Sequence, residues 1–272
     1  MLHSITGKSE LERLCQSGRT GWSECQEIEY SLYHSKSNSI QQLLVAEKMK
    51  VKSALETVLR VKRIYPDDNQ DFIQIFVKFL LKIISYNNLR TFANETRSIS
   101  YDETNEEHEK MLYRLWGLIK ADDSIDKRYS SRWGEIGFQG NNPATDFRGL
   151  GILSLQNMIY LFENWPEKGL KIYGQSQHPK FGFSFAITGI NMTGIVYDLL
   201  RSGKMKGHLY NLPQDEYFIE DFHNFYVDIF YEFADYWVYR EPQNIMSFGV
   251  IRDDFVNIIK GRLERGEVKA VA

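Results

Sequence analysis

Cysteine is nearly missing: Cys15 and Cys25 are the only two in 272 residues, and they do not form a C-x-x-C pair. A disulfide framework is excluded, as is a zinc module built on three or four thiolates. Proline is scarce too. The six, at 66, 143, 166, 179, 213 and 242, make no P-x-x-P and no proline-rich segment. There is no basic excess: 33 Lys and Arg stand against 36 Asp and Glu, a net charge of −3, which argues against a dedicated nucleic-acid binder. Long apolar runs are lacking. The longest uncharged stretch, 181–197, is short and carries three glycines with Ser184, Thr188, Asn191 and Thr193, so it does not read as a bilayer span. The N-terminal MLHSITGKSELERL has charges where a signal core would be apolar. These features predict a soluble, cytoplasmic protein with at most peripheral membrane contact.

Familiar catalytic words are missing as well. Gly7-Lys8-Ser9 has no glycine five residues earlier, so it is no phosphate-cradling loop, and Gly149-x-Gly151 lacks the third glycine of a dinucleotide fingerprint. The six histidines are scattered, with no zincin spacing, and no G-x-S-x-G occurs. No metal or cofactor is expected.

What the chain does have is aromatic content, 14%, and helical periodicity. Residues 1–40 are rich in Ser, Gln and Glu and read as a loosely ordered leader with one short helix near 9–16. A helical domain is expected over 41–264. Apolar positions recur at helical spacing from Ile40 to Ile64, where Pro66 ends the run. That helix carries Lys48, Lys50, Lys52, Arg60, Lys62 and Arg63, a basic face suited to solvent or to an anionic membrane surface. Further helices are expected from 71 to 86 and from 108 to 119. A central buried one follows Gly149, then others are expected from 181 to about 203, over 215–239 and over roughly 247–263, with 87–107 as a connection. The 215–239 segment sets an aromatic stripe against acidic residues, with no Lys or Arg between Leu209 and Tyr239. Core packing is the favoured reading of the stripe, with a partner groove the alternative, and the acidic face suits either solvent or the steering of a basic partner. No period-2 strand pattern is present. The fold class is all-α.

One loop stands apart: WGEIGFQGNNPATDFRGLG, residues 133–151. Its glycines and Pro143 predict a tight turn with exposed backbone, and Thr145 or Asp146 could cap the helix that follows. Arg148 then falls in the first helical turn, against the preference of the helix dipole. A cation held there beside free N–H groups could meet phosphate oxygens. An Asp146–Arg148 or Glu135–Arg148 ion pair locking the loop is the plainer reading, and the physical features alone favour it.

The words HEKMLYRLWGLI (108–119), RWGEIGFQGNNPATDFRGLGILSLQNMIYL (132–161), FAITGINMTGIVYDLLRSGKMK (185–206), FHNFYVDIFYEFADYW (222–237) and EPQNIMSF (241–248) closely resemble the ELMO domain, specifically the stand-alone ELMO-domain-containing proteins. They span about residues 105–260, and the 41–64 and 71–86 segments resemble the usual N-terminal part of that unit. The resemblance implies an all-helical protein that stimulates GTP hydrolysis by a GTP-bound small GTPase of the Arf or Arf-like family. It places the arginine on which such activity depends at Arg148. It implies loop-positioning or partner-binding roles for Trp133, Gln139, Gly140, Asp146, Phe147 and Gly149. No cofactor is implied, since the nucleotide and its magnesium belong to the partner. The alternative is a non-catalytic GTPase-binding or scaffold module, like the larger ELMO adaptors of Rac and DOCK-type signalling, whose extra modules this chain has no length for.

Overall fold

In the computed structural model the described residues are 9–45 and 49–267. Among them there are twelve α-helices and no strand. In chain order these are α1 (Glu10–Leu14), α2 (Trp22–Tyr33), α3 (Asn38–Gln41), α4 (Val51–Lys62), α5 (Gln70–Ser98), α6 (Glu106–Ile119), α7 (Gly151–Asn164), α8 (Pro166–Ser176), α9 (Phe185–Arg201), α10 (Lys206–Leu209), α11 (Ile219–Tyr239) and α12 (Phe248–Glu264). The all-α expectation holds.

Helix α7 is the hub. Its residues are apolar nearly all round, and it packs against α5, α6, α8, α9 and α11, with Leu153, Leu155, Met158 and Leu161 fully enclosed. A helix hydrophobic on every face has only the interior to occupy. The aromatic stripe of α11, Phe222 to Trp237, is core, as its spacing predicts. The acidic residues opposite it are engaged within the molecule. Asp228 meets Lys168, Asp235 meets Lys171, and Glu232 meets Arg262.

Three sequence expectations are corrected. The short helix expected near 9–16 is present as α1, but the rest of the leader is not loosely ordered: α2, α3 and short turns follow it to Leu44, with Leu11, Cys15, Cys25, Ile28 and Ile40 buried. Its polar composition hid an apolar face that closes on α5 and α10. Residues 1–8, and with them Gly7-Lys8, lie outside the described residues, as does Lys48 of the basic stretch. Secondly, the 40–64 segment is two pieces. The Leu44 carbonyl is taken by the Asn87 side-chain amide at 2.8 Å, so it does not continue a helix, and α4 starts anew at Val51. Ala54 and Val58 of α4 are buried, which commits its apolar face to the core. Thirdly, α5 runs on to Ser98 instead of stopping at Asn87-Asn88. Asn87 is buried and satisfied by Leu44, so it does not compete locally for the backbone, and Leu89, Ala93 and Thr96 extend the buried face. By length and composition alone α5 could cross a membrane, but more than half of its most apolar stretch is enclosed by the rest of the fold. Pro166, read as punctuation, is the first residue of α8, where its missing N–H costs nothing.

Candidate functional site

The 133–151 loop lies on an aromatic base. Trp133 is fully buried, donates its indole N–H to the Arg128 carbonyl at 2.7 Å, and meets Trp116 edge-on at 5.3 Å. Contacts continue from Trp133 to Phe138 at 5.9 Å, from Phe138 to Phe147 at 5.6 Å, and from Phe147 onto a stacked Tyr101 at 5.4 Å. Such pairs each add roughly 0.5–1.5 kcal/mol beyond area burial. Trp133 and Phe147 are therefore held inside the fold, beneath the loop.

Backbone bonds fix both ends of the loop. Gly137, at φ +86°, sits so close to the start of α9 that a Cβ would lie 2.3 Å from the Phe185 nitrogen. Its carbonyl accepts the Ile187 N–H, one of the donors a helix leaves unsatisfied at its first turn. Gly151, at φ +52°, is equally close to the end of α5, and the next N–H, of Ile152, donates to Ile99. The Gly149 carbonyl accepts from the Arg97 guanidinium at 2.6 Å. Between these anchors the Asp146 carboxylate accepts the Gln139 N–H at 2.7 Å, tying the two limbs together. Burial raises the Asp146 pKa above the usual carboxylate range, opposed by that bond and by the charge of Arg148. Asn142 caps the 143–145 turn and also reaches Glu103.

Neither Thr145 nor Asp146 is the helix cap. Helix α7 begins at Gly151 with Leu150 at the cap, so Arg148 lies before the helix and not in its first turn. The N–H groups of Leu150 and Gly151 donate to the Phe147 carbonyl and that of Ile152 to Ile99, while Leu153 and Ser154 are buried, so the helix start is poorly suited to receive a phosphate. Phosphate contact at this site would rest on the guanidinium.

Arg148 itself is exposed. Its Nε–H donates to the Thr145 carbonyl at 2.7 Å, which fixes the base of the side chain, and it forms no ion pair with any described residue. Glu135 is occupied by Arg132 and Lys120. Both ion-pair readings of Arg148 are thereby removed. Gln139, Gly140 and Gly149 are exposed on the same loop. The structure thus brings the seven sequence-selected residues together on one loop: Gln139, Gly140, Arg148 and Gly149 are exposed, Asp146 is half-buried, and Trp133 and Phe147 lie buried beneath them. Sequence reasoning missed Arg97, Tyr101 and the cations at the end of α9 and on α12, whose approach to the loop is set by tertiary packing. Among the described residues no group of three His, Cys, Asp or Glu side chains is placed to hold a metal ion.

The buried polar groups elsewhere serve the fold. Lys82, 2% exposed, donates to the carbonyls of Tyr210, Leu212 and Gln214. Burial lowers its pKa, and Asp215 at 3.8 Å keeps the charged form favourable. His223 hydrogen-bonds Asn157 at 2.6 Å, and Asn157 donates to Thr193.

Comparison with known proteins agrees with this architecture. The profile of the ELMO/CED-12 family matches residues 91–252, more than half of the chain. ELMO domain-containing protein 2 of Homo sapiens is 38% identical over 97% of this chain and 89% of its own length. ELMO domain-containing protein 1 of Homo sapiens is 32% identical over 98% and 88%. ELMO domain-containing protein B of Dictyostelium discoideum is 32% identical over 94% and 90%. With the motif-bearing loop inside the matched region and an all-helical architecture around it, this chain belongs to the ELMO/CED-12 family.

Proposed function

We propose that this protein is a GTPase-activating protein for a small GTPase of the Arf or Arf-like family, acting from the cytoplasm with at most peripheral membrane contact. The observation that carries the reading is Arg148: an exposed guanidinium without an ion-pair partner among the described residues, on a loop fastened to α5 and α9. A planar cation presented this way suits insertion into a partner's nucleotide site. There it would spread over the charge that develops between the β- and γ-phosphates during hydrolysis. Magnesium, GTP and the residue that orients the attacking water belong to the GTPase, so this chain has no self-contained active site. Trp133 and Phe147 hold the loop, the Asp146–Gln139 bond sets its width, and Gln139, Gly140 and Gly149 lie where a partner would touch.

The test is GTP hydrolysis by a panel of Arf, Arf-like and Rac GTPases with sub-stoichiometric purified protein. Accelerated hydrolysis with turnover on Arf or Arf-like members is the expected result. Binding without acceleration would make the protein a recruiting module, and acceleration of Rac members alone would overturn the Arf assignment.

A further inference from the structure

We propose that the groove between α9 and α12, opening beside Arg148, is where the GTPase docks: its cationic rim receives acidic side chains of the partner and its apolar floor a protruding apolar one. The inference rests on the Arg148 reading and extends it from one side chain to a surface.

The groove encloses about 600 Å³, and Arg148 and Leu150 of the loop form one wall. Arg201 and Lys204 line it at the end of α9, with Arg252 and Lys260 on the facing side of α12. With Arg148 these make five cations against two lining carboxylates, Asp198 and Asp253, and a third, Glu264, that pairs with Lys204 from outside the groove at 2.5 Å, a surplus of two positive charges on a chain whose net charge is −3. The local surplus is therefore a feature of this surface and not of the composition. Both carboxylates bond to neighbours on their own helix, Asp198 to Arg201 at 3.2 Å and Asp253 to Arg252 at 2.8 Å, in solvent-exposed pairs. Pairs of that kind hold by about 1 kcal/mol or less, so a partner's carboxylates can replace them at little cost.

The floor is apolar. Leu150, Ile195 and Val256 are half-buried there, above the buried Leu199. An apolar floor beneath a charged rim is the usual anatomy of a protein interface. A cleft between two helices admits a protruding loop or helix, whereas the plane of a bilayer cannot follow it. Continuity decides the occupant: any protein whose nucleotide site receives Arg148 must also cover the residues that share its wall. The rim would then act on encounter and orientation, leaving the chemical step to Arg148.

The experiment uses the full chain with Arg252→Glu and Lys260→Glu combined, the off-groove control Arg60→Glu on α4, and Arg148→Ala. Thermal melting shows first that all are folded. Stimulated hydrolysis is then measured against GTPase concentration, and binding against the same GTPase loaded with a non-hydrolysable GTP analogue. The groove variant should raise the half-saturating GTPase concentration by about tenfold or more while keeping the maximal rate within about threefold. Arg148→Ala should do the reverse, losing rate while binding within about threefold, and Arg60→Glu should behave as wild type. Raising salt from about 50 to about 200 mM should weaken the wild type more than the groove variant. If wild type accelerates hydrolysis and the groove variant matches it at every GTPase concentration, the groove proposal is overturned and the Arg148 reading stands. If wild type neither binds nor accelerates any panel member, both fall. If the variant loses only sedimentation with phosphatidylserine vesicles, the groove is a lipid site and the proposal is overturned.

Discussion

Replacing Gly137 with alanine tests whether the loop is held rigidly against α9. Gly137 has φ +86°, a region in which an L side chain costs roughly 1–2 kcal/mol. An added Cβ would also lie 2.3 Å from the Phe185 nitrogen, 2.7 Å from the Ser184 carbonyl carbon and 2.9 Å from the Ala186 nitrogen. All three are backbone atoms at the start of a buried helix, so no flexible side chain can yield. The loop or the helix must move, and the Gly137–Ile187 hydrogen bond is lost with that movement. Strain, clash and bond loss together should exceed about 4 kcal/mol, at the exceptional end for a point substitution. Gly140 is the internal control: it too has positive φ, +66°, but nothing lies within 4 Å of its Cβ position. Gly140→Ala should cost only the backbone term, roughly 1–2 kcal/mol. For a chain of this size the two variants should lower the melting temperature by roughly 8 °C or more and by roughly 2–4 °C. Urea unfolding of both, with the slope checked for constancy, is the assay. Equal stability of the two variants would refute the claim of a rigid anchor.

Acid should destabilise the fold through His208 and His223, whose pKa values burial lowers to about 4. Unfolded, both titrate near 6.5, so the unfolded state binds more protons between those values. Stability is then complete above about pH 6.5 and falls as pH drops towards 4, by up to roughly 3 kcal/mol per histidine; a flat urea midpoint from pH 7 to 4.5 would contradict this. Lys82→Met should cost roughly 3–5 kcal/mol by orphaning three carbonyls and Asp215, and an unchanged melting curve would show that the buried ammonium is dispensable. Since the apolar face of α4 is buried in the core, vesicles of anionic lipid should retain the protein weakly or not at all. Tight, salt-sensitive sedimentation lost on replacing Lys52, Arg60 and Lys62 would reverse that reading.

The parts of the fold legible in the sequence were those where burial and periodicity agree. Helix α7 is visible because no charge or break interrupts its apolar run before Glu163, and α11 and α12 because their stripes are regular. Helix α5 was cut short because Asn87-Asn88 imitates a break, and only the fold reveals that Asn87 is satisfied by Leu44. Residues 9–44 are hard to read because their apolar positions are sparse, and their burial depends on packing among themselves and against α4, α5 and α10. At the site, glycine density marked the loop, and the resemblance singled out Arg148. Spacing could not show that Asp146 binds the Gln139 N–H rather than Arg148, nor that the Leu150, Gly151 and Ile152 N–H groups are already used. The groove cations lie more than fifty residues along the chain from Arg148 and converge only through tertiary packing.

The central claim is best tested on Arg148→Ala and Arg148→Lys, with melting temperature and stimulated GTP hydrolysis measured on the same preparations. Arg148 gives up one exposed hydrogen bond and no ion pair among the described residues, so the alanine variant should stay within about 1 kcal/mol of wild type. Stimulated hydrolysis should fall by roughly three to five powers of ten, towards the GTPase's own rate, an increase of roughly 4–7 kcal/mol in the barrier. Lysine should restore little, because a point-like ammonium cannot reproduce the planar fork. A folded Arg148→Ala protein that stimulates hydrolysis as well as wild type would contradict the account.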